Sequence, residues 1–308
     1  MIDKILYMFE HLNGVYDIIE KVKVIISVLS KDIGDRSLCE RNYQNHISAK
    51  NYIFDCFRKI GADPNEEKFT VNNLETSNIV AEIRGRDFPD NIIIIGAHYD
   101  TVEDSAGAND NATGIAALME IYRLLHGHKI KRTVRFVAFS TEEPPYFATD
   151  DMGSSFHARK CLKKKENIDL MIAIDMIGYG GILVKQQFPL EGMKGKYPSM
   201  GTFLATVTVP SSTNYAYLWK NLYNTHSSSK TYDIIAPASV NGINLSDHYS
   251  FTKLGIPAIM ITDTGFYRNN HYHTENDTYD KVNFRFLGYN ILSIYKTIKD
   301  LANLKKFV

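Results

Sequence analysis

The chain has 308 residues, of which 44% are hydrophobic and 23% charged, and 35 basic residues balance 35 acidic ones. This length suffices for a large buried core, and the composition is ordinary for a globular protein. The zero net charge argues against nucleic acid or an acidic membrane surface as a partner held by bulk charge.

The first 35 residues or so predict an amphipathic helical extension. Charges from Asp3 to Lys23 interrupt its apolar stretch, so it has neither the core of a signal peptide nor the length of a membrane span. The three cysteines, Cys39, Cys56 and Cys161, are widely spaced and predict neither a disulfide framework nor a cysteine metal site. We therefore expect reduced thiols and a cytoplasmic location.

Short β-branched runs then alternate with helical stretches along the chain. The predicted strands are 80–83, 91–97, 133–140, 169–176 and 257–262. The predicted helices are 48–60, 112–125, 153–164, 213–226 and 284–304. The run NIIIIGA at 91–97 is typical of a strand covered on both faces, and 80–83 is expected to pair antiparallel beside the main strands. The alternation predicts an α/β fold in three layers (αβα), with a mostly parallel, mixed central sheet flanked by helices.

The stretch 180–210 is rich in Gly, Pro, Lys and Gln and has no clear period. We interpret it as a long loop excursion from a single domain that spans residues 1–308.

Polar, chemically active residues follow several of the predicted strands. They are His98 and Asp100 after the first long strand, Glu142 and Glu143 after the next, Asp175 at the end of the third, and His271 and His273 in a later segment. Ligands of open α/β sheets bind outside the carboxyl ends of the strands, so these side chains are expected to converge. Imidazole and carboxylate groups together suit zinc.

The segment GANDNATG at 107–114 opens directly into the helix predicted at 112–125. An N-cap role would explain Asp110 or Asn111 alone. It explains the whole Gly/Asn/Asp-rich cluster poorly, which favours a functional loop.

A series of motifs resembles the co-catalytic two-zinc aminopeptidases, which are related to the glutaminyl cyclases and to the peptidase-like domain of transferrin receptor. The motifs occur in the order typical of that family over roughly residues 40–300. They are GAHYD (96–100), GANDNATG (107–114), STEE (140–143), IDMIGY (174–179), SDHYSF (246–251), GIPAIM (255–260) and YHTENDT (272–278).

The resemblance implies a zinc-peptidase fold, two zinc ions per chain and five protein ligands. These ligands would be His98 and Asp175 for one ion, Glu143 and His273 for the other, and Asp110 as a bridge. The family usually has a cis peptide after the bridging aspartate, here Asp110–Asn111.

The resemblance also implies that Glu142 is the general base for a water held by the two metals, and that Tyr272 donates to the developing oxyanion. Asp100 stands two residues from His98 and fits the role of a carboxylate that orients the ring through its distal nitrogen.

One departure from the family pattern concerns the exit from the two glutamates. Much of the family has a short turn followed by Gly-Ser, whereas this chain inserts PPYFATDDM before Gly153. Tyr146 and Phe147 could line the substrate pocket or pack on the sheet, and the excursion at 180–210 is the other expected wall.

The sequence thus predicts a zinc-dependent aminopeptidase acting on peptides, with no nucleic acid, membrane span or protein partner indicated. A glutaminyl cyclase is the first alternative. That branch tends to have a tryptophan before the late histidine, where this chain has Tyr272, and its only tryptophan is Trp219. A carboxypeptidase of the same family is the second alternative and would need a cation for the substrate carboxylate, for which Arg268 is a candidate. The third alternative is a binding module that has lost its metals.

Overall fold

The computed structural model describes residues 2–188, 191–227 and 229–307. Its centre is an eight-stranded sheet with the order β1-β2-β4-β3-β5-β8-β6-β7. The strands are β1 Asn65–Val71, β2 Leu74–Ile83, β3 Phe88–His98, β4 Arg132–Phe139, β5 Asn167–Ile174, β6 Leu204–Thr208, β7 Thr231–Ile235 and β8 Ala258–Thr262. The four central strands β4, β3, β5 and β8 are mutually parallel, whereas β2 pairs antiparallel with β4, and β6 pairs antiparallel with β8.

Helices cover both faces of this sheet. They are α1 Ile2–Ser27, α2 Tyr43–Lys59, α3 Thr113–Leu125, α4 Gly153–Lys163, α5 Thr213–His226, α6 His248–Thr252 and α7 Phe284–Asn303. Buried residues of α1, α2, α3, α5 and α7 form one core on one face of the sheet, and α4 and α6 contribute to a second core on the other face. The predicted three-layer αβα architecture is therefore confirmed.

The run NIIIIGA shows why both faces must be covered. Ile93 and Ile95 point into the first core, whereas Ile92 and Ile94 point into the second. Side chains of a strand alternate between faces, so a continuous apolar run has to be buried on each side. His98 is the last residue of this buried strand and therefore lies at the carboxyl end of the parallel strands.

Strands β1, β6 and β7 lie outside the predicted set. The sequence interpretation of 180–210 as loop is wrong for its last part, because residues 204–208 form β6 between β8 and β7. These strands are short or lie at a sheet edge, where exposed faces admit polar residues such as Glu66, Lys68 and Asp233. None of the three therefore has the continuous apolar run that marks a central strand such as β3.

The N-terminal helix packs against the body of the fold. Val15, Ile18, Val22 and Ile26 recur at three- to four-residue spacing and are buried in the first core, and the helix contacts α3 and α7. A π-helical turn, Val28–Ile33, continues this helix towards the loops at the carboxyl ends of the parallel strands. None of the helices among the described residues is long and apolar enough to cross a membrane.

Candidate active site

The five sequence-predicted metal ligands and Glu142 converge at the carboxyl ends of the parallel strands, whereas His271 packs against Tyr179, with ring centroids 6.2 Å apart. His98 ends β3, Glu142 and Glu143 follow β4, and Asp175 follows β5. Asp110 lies in the turn that leads into α3, and His273 lies in the loop after β8. Parallel pairing places these chain segments side by side, although they are up to 175 residues apart in sequence.

Asp110 stands between two groups of side chains. Its Oδ1 lies 3.3 Å from His98 Nε2, which in turn lies 3.5 Å from Asp175 Oδ1. Its Oδ2 lies 3.2 Å from His273 Nε2, which lies 3.1 Å from Glu143 Oε2. These distances place His98 and Asp175 near one carboxylate oxygen of Asp110, and Glu143 and His273 near the other.

Crowded carboxylates dominate the electrostatics of the cluster. Burial alone would lower the pKa of His98, but Glu142 and three aspartates raise it well above its usual value. The pKa of His273 rises to about 10 against the same burial effect, because Asp110 and Glu143 face it. Burial, reinforced by neighbouring carboxylates, raises the pKa of Glu143 to about 7 and also raises that of Glu142. The cluster thus crowds buried carboxylates together, and a bound cation would favour their ionised forms.

The residues present fit a divalent metal. His98 Nε2 and Asp175 Oδ1 are buried and have no hydrogen-bond partner among the described residues. Unpartnered buried polar atoms are costly, and coordination to a cation would satisfy both. Ligand atoms of His98, Asp110 and Glu143 all lie within 4.8 Å of one another. Nitrogen and carboxylate oxygen donors of this kind suit zinc.

Asp100 connects the two strands that carry the cluster. Its carboxylate oxygens accept hydrogen bonds from the backbone N–H groups of Glu142, at 3.1 Å, and Glu143, at 3.0 Å. The distal ring nitrogen of His98, Nδ1, donates to the Asp100 backbone carbonyl at 3.2 Å, and not to the Asp100 carboxylate as predicted, which is 3.6 Å away. Asp100 therefore positions the paired glutamates as well as facing the histidine.

Asp100→Asn is expected to weaken metal binding and turnover by about 10- to 100-fold, the usual cost of losing an outer partner of a metal site. The amide would turn an NH2 group towards one of the two backbone donors and remove the charge beside His98. Metal affinity measured by competition with a chelator checks this, with Asp104→Asn, which changes an exposed carboxylate in the same loop, as control. Unchanged affinity in Asp100→Asn would contradict the positioning role.

The loop that carries Asp110 is held by buried acidic residues. Asp277 is fully buried and accepts hydrogen bonds from the backbone N–H groups of Asn109 and Asp110 at 2.9–3.1 Å. Asp263 accepts from the side chain of Asn109 at 3.1 Å. The Asp110–Asn111 peptide is cis, as the resemblance predicts. These contacts fix where the Asp110 carboxylate points.

Arg36 is a positioning residue that the sequence interpretation missed. Its guanidinium is fully buried and donates to the backbone carbonyls of Tyr99, Ala106 and Gly107 at 2.7–2.8 Å. It thereby ties the segment after α1 to the loop between His98 and Asp110. A lone arginine outside any motif gives no sequence signal for contacts with carbonyls 63–71 residues away.

Tyr272 and Glu142 border the cluster without belonging to either group around Asp110. Glu142 Oε2 lies 3.9 Å from His98 Nε2. The Tyr272 ring stacks on that of His273, with centroids 3.7 Å apart, and it lines the cleft above the carboxylates. Both side chains line the cleft, where they could contact a bound substrate.

Two adjoining cavities open at the site. The smaller, about 90 Å³, is the carboxylate cleft, which Asp110, Glu142, Glu143, Asp175 and His273 line together with apolar groups. The larger, about 250 Å³, is an apolar cavity behind it. Met176, Leu245 and Tyr272 line both, so they form a shared wall. Gln186, Phe188, Met193 and Tyr197 bring the predicted excursion into the lining of the apolar cavity.

Residues 78–295 match Peptidase family M28, and the cluster has the imidazole and carboxylate groups of a metal-binding hydrolase. The chain belongs to this peptidase family. It is 36% identical over 275 residues to the "Uncharacterized protein YfbL" of Escherichia coli (strain K12), covering 86% of this chain and 83% of that protein. It is also 36% identical over 105 residues to "Aminopeptidase Y" of Saccharomyces cerevisiae, which covers 34% of this chain and 18% of that enzyme.

Solved structures share the fold. The Legionella pneumophila LapA aminopeptidase superposes with a TM-score of 0.73 at 18% identity, covering 95% of this chain and 75% of that one. The Porphyromonas gingivalis glutaminyl cyclase superposes with a TM-score of 0.68 at 19% identity, covering 92% and 98%. Likeness at these identities shows the common fold and leaves the reaction to be argued from the site.

Proposed function

We propose that this chain is a metal-dependent aminopeptidase that releases an apolar residue from the free N-terminus of peptides. The observation that carries the proposal is the shared wall of Met176, Leu245 and Tyr272. A peptide bond placed over the carboxylates would direct the side chain of its first residue across this wall into the apolar cavity.

The lining of the apolar cavity supports an uncharged first residue. Among the described residues around it there is no Asp, Glu, Lys or Arg, and apolar and aromatic groups predominate. Its volume of about 250 Å³ suits a bulky side chain. Burial of a Leu- or Phe-sized group would contribute about 1.5–3 kcal/mol to binding.

The charge of the carboxylate cleft supports a free amine over a free carboxylate as the recognised terminus. Among the described residues of the cleft there is no Lys or Arg. Arg268, the cation that a carboxypeptidase reading would recruit, donates to Gln186 Oε1 at 2.9 Å and to the Phe203 carbonyl at 2.9 Å. Its guanidinium also stacks over the Phe203 ring, 4.6 Å from the centroid. These contacts tie Arg268 to the excursion, and although its Nη2 has no hydrogen-bond partner among the described residues, Arg268 does not line the carboxylate cleft.

The cluster would hold two zinc ions, with His98 and Asp175 on one, Glu143 and His273 on the other, and Asp110 shared. When bound, such ions would polarise the scissile carbonyl and lower the pKa of a coordinated water. Glu142 would take a proton from the attacking water and deliver it to the leaving amine. The Tyr272 hydroxyl would donate to the oxygen on which negative charge develops. Asp100 would keep Glu142 and Glu143 in register.

Glutaminyl cyclisation has less support from the site. Trp219, the only tryptophan of the chain, is fully buried in the first core on α5. Tyr272 occupies the position before the late histidine and lines the cleft. The cyclase reaction remains an alternative that an experiment can separate.

A panel of aminoacyl p-nitroanilides, N-acetylated peptides and N-terminal glutaminyl peptides tests the proposal on the zinc-loaded protein. We expect cleavage of Leu- and Phe-p-nitroanilide, at least about tenfold slower cleavage of Ala-p-nitroanilide, and no cleavage of the acetylated peptides. Release of pyroglutamyl peptide without hydrolysis would identify a cyclase. Cleavage from the carboxyl terminus would identify a carboxypeptidase, and either result would overturn the proposal.

A further inference from the structure

In the segment from Pro144 to Phe147, two aromatic residues that are adjacent in sequence have different surroundings. Tyr146 is buried in a small core with Leu38 and Val71, and its hydroxyl donates to the Leu38 carbonyl at 2.7 Å. Phe147 is half-buried and lines the carboxylate cleft together with Pro144. One aromatic ring therefore anchors the segment, and the other is presented to the site.

The backbone around these rings is fixed to the catalytic strand end. Tyr146 N–H donates to the Glu143 carbonyl at 3.0 Å, and the Tyr146 carbonyl accepts from Thr149 N–H at 3.1 Å. The Thr141 hydroxyl donates to the Asp151 carbonyl at 2.7 Å, which closes the loop at its base. Backbone hydrogen bonds made by residues before and after Phe147 thus fix its position relative to Glu143.

Phe147 lies on a different wall of the cleft from the apolar cavity. Met176, Leu245 and Tyr272 lead into that cavity, whereas Phe147 and Pro144 line the cleft without lining the cavity. When the first side chain of a peptide occupies the cavity, the chain beyond the cleaved bond has to leave along another wall. The Tyr249 ring, with its centroid 6.0 Å from that of Phe147, is also half-buried and extends this aromatic surface.

We propose that Phe147 is a specificity-determining residue that contacts the residue after the cleaved bond and favours an apolar or aromatic side chain there. This inference rests on the proposed aminopeptidase function, and it assigns a substrate preference to the inserted segment in which the chain departs from the family pattern. The physical basis is the burial of apolar surface against a ring that is held in place before substrate binds.

Two dipeptide series test the inference on the zinc-loaded protein. The first varies the second residue (Leu-Phe, Leu-Ala, Leu-Asp), and the other varies the first (Leu-Ala, Phe-Ala, Ala-Ala). The wild type is expected to prefer Leu-Phe over Leu-Ala in kcat/KM by about tenfold. Phe147→Ala is expected to reduce that ratio to near one and to leave the ratios of the first-residue series unchanged. Phe147→Leu, which keeps an apolar contact, is expected to retain part of the preference.

Met193→Ala is the matched control, because Met193 lines the apolar cavity and not the cleft. It should alter the ratios of the first-residue series and leave the ratio of Leu-Phe to Leu-Ala as in the wild type. A Phe147→Ala variant with the wild-type ratio would overturn the inference. So would a variant that loses the same factor on every dipeptide, since that result would indicate a purely structural ring. If the wild type cleaves no dipeptide at all, the proposed function fails, and the inference fails with it.

Discussion

Glu142→Gln is expected to lower kcat by about 10²- to 10⁴-fold, the contribution typical of a general acid–base group. The substitution keeps the shape of the side chain and removes only its ability to take and return a proton. Metal content, measured by elemental analysis of the purified protein, and KM are expected to stay near wild-type values.

Glu143→Gln is the matched control, because it makes the same chemical change at the adjacent residue. It removes a carboxylate that lies 3.1 Å from His273 Nε2, so it should lower metal content as well as turnover. A Glu142→Gln protein that keeps most of its activity, or one that loses metal as Glu143→Gln does, would refute the division of roles between the two glutamates.

Asp110→Asn is expected to abolish binding of both metal ions, because both groups of side chains meet at its carboxylate. The loss of affinity should exceed the roughly 10- to 100-fold that follows loss of an outer partner. Zinc stoichiometry after dialysis provides the measurement, and we expect a fall from two ions per chain to nearly none.

Asp175→Asn provides the comparison for Asp110→Asn. Of the two histidines, only His98 lies next to Asp175, at 3.5 Å. Loss of the Asp175 carboxylate should therefore affect one ion and leave about one per chain. Equal stoichiometry in the two variants would show that Asp110 does not bridge the two groups.

The arrangement of the central strands was predictable because burial on both faces leaves an unambiguous pattern. Residues Ile92–Ile95 are apolar at every position, so both faces of the strand must be buried. This pattern predicts a strand between two helical layers. Strand β6 gave no such signal, because five residues, LATVT, follow a long irregular stretch. Its place in the sheet depends on pairing with β8 and β7, which the local sequence does not encode.

The candidate ligands could be predicted because each stands at a strand end or in a motif with a recognisable order. Of the residues that position them, Asp100 was predicted, but the contacts of Arg36 and Asp277 were not. Arg36 acts through backbone carbonyls, and Asp277 acts through the backbone N–H groups of a loop 167–168 residues away. The sequence also left Tyr146 and Phe147 undecided, since only the tertiary contacts of Tyr146 show which ring remains for the cleft.

The wall shared by Met176, Leu245 and Tyr272 also bears on inhibition. An inhibitor that joins a metal-binding group to a bulky apolar substituent would occupy the cleft and the cavity at once. The second contact would then be made within the same molecule, so its free energy adds to the first without a second loss of translational freedom. Extending such a compound past Phe147 would give a third point of contact, and selectivity over relatives with a short turn at that position would come from this arm.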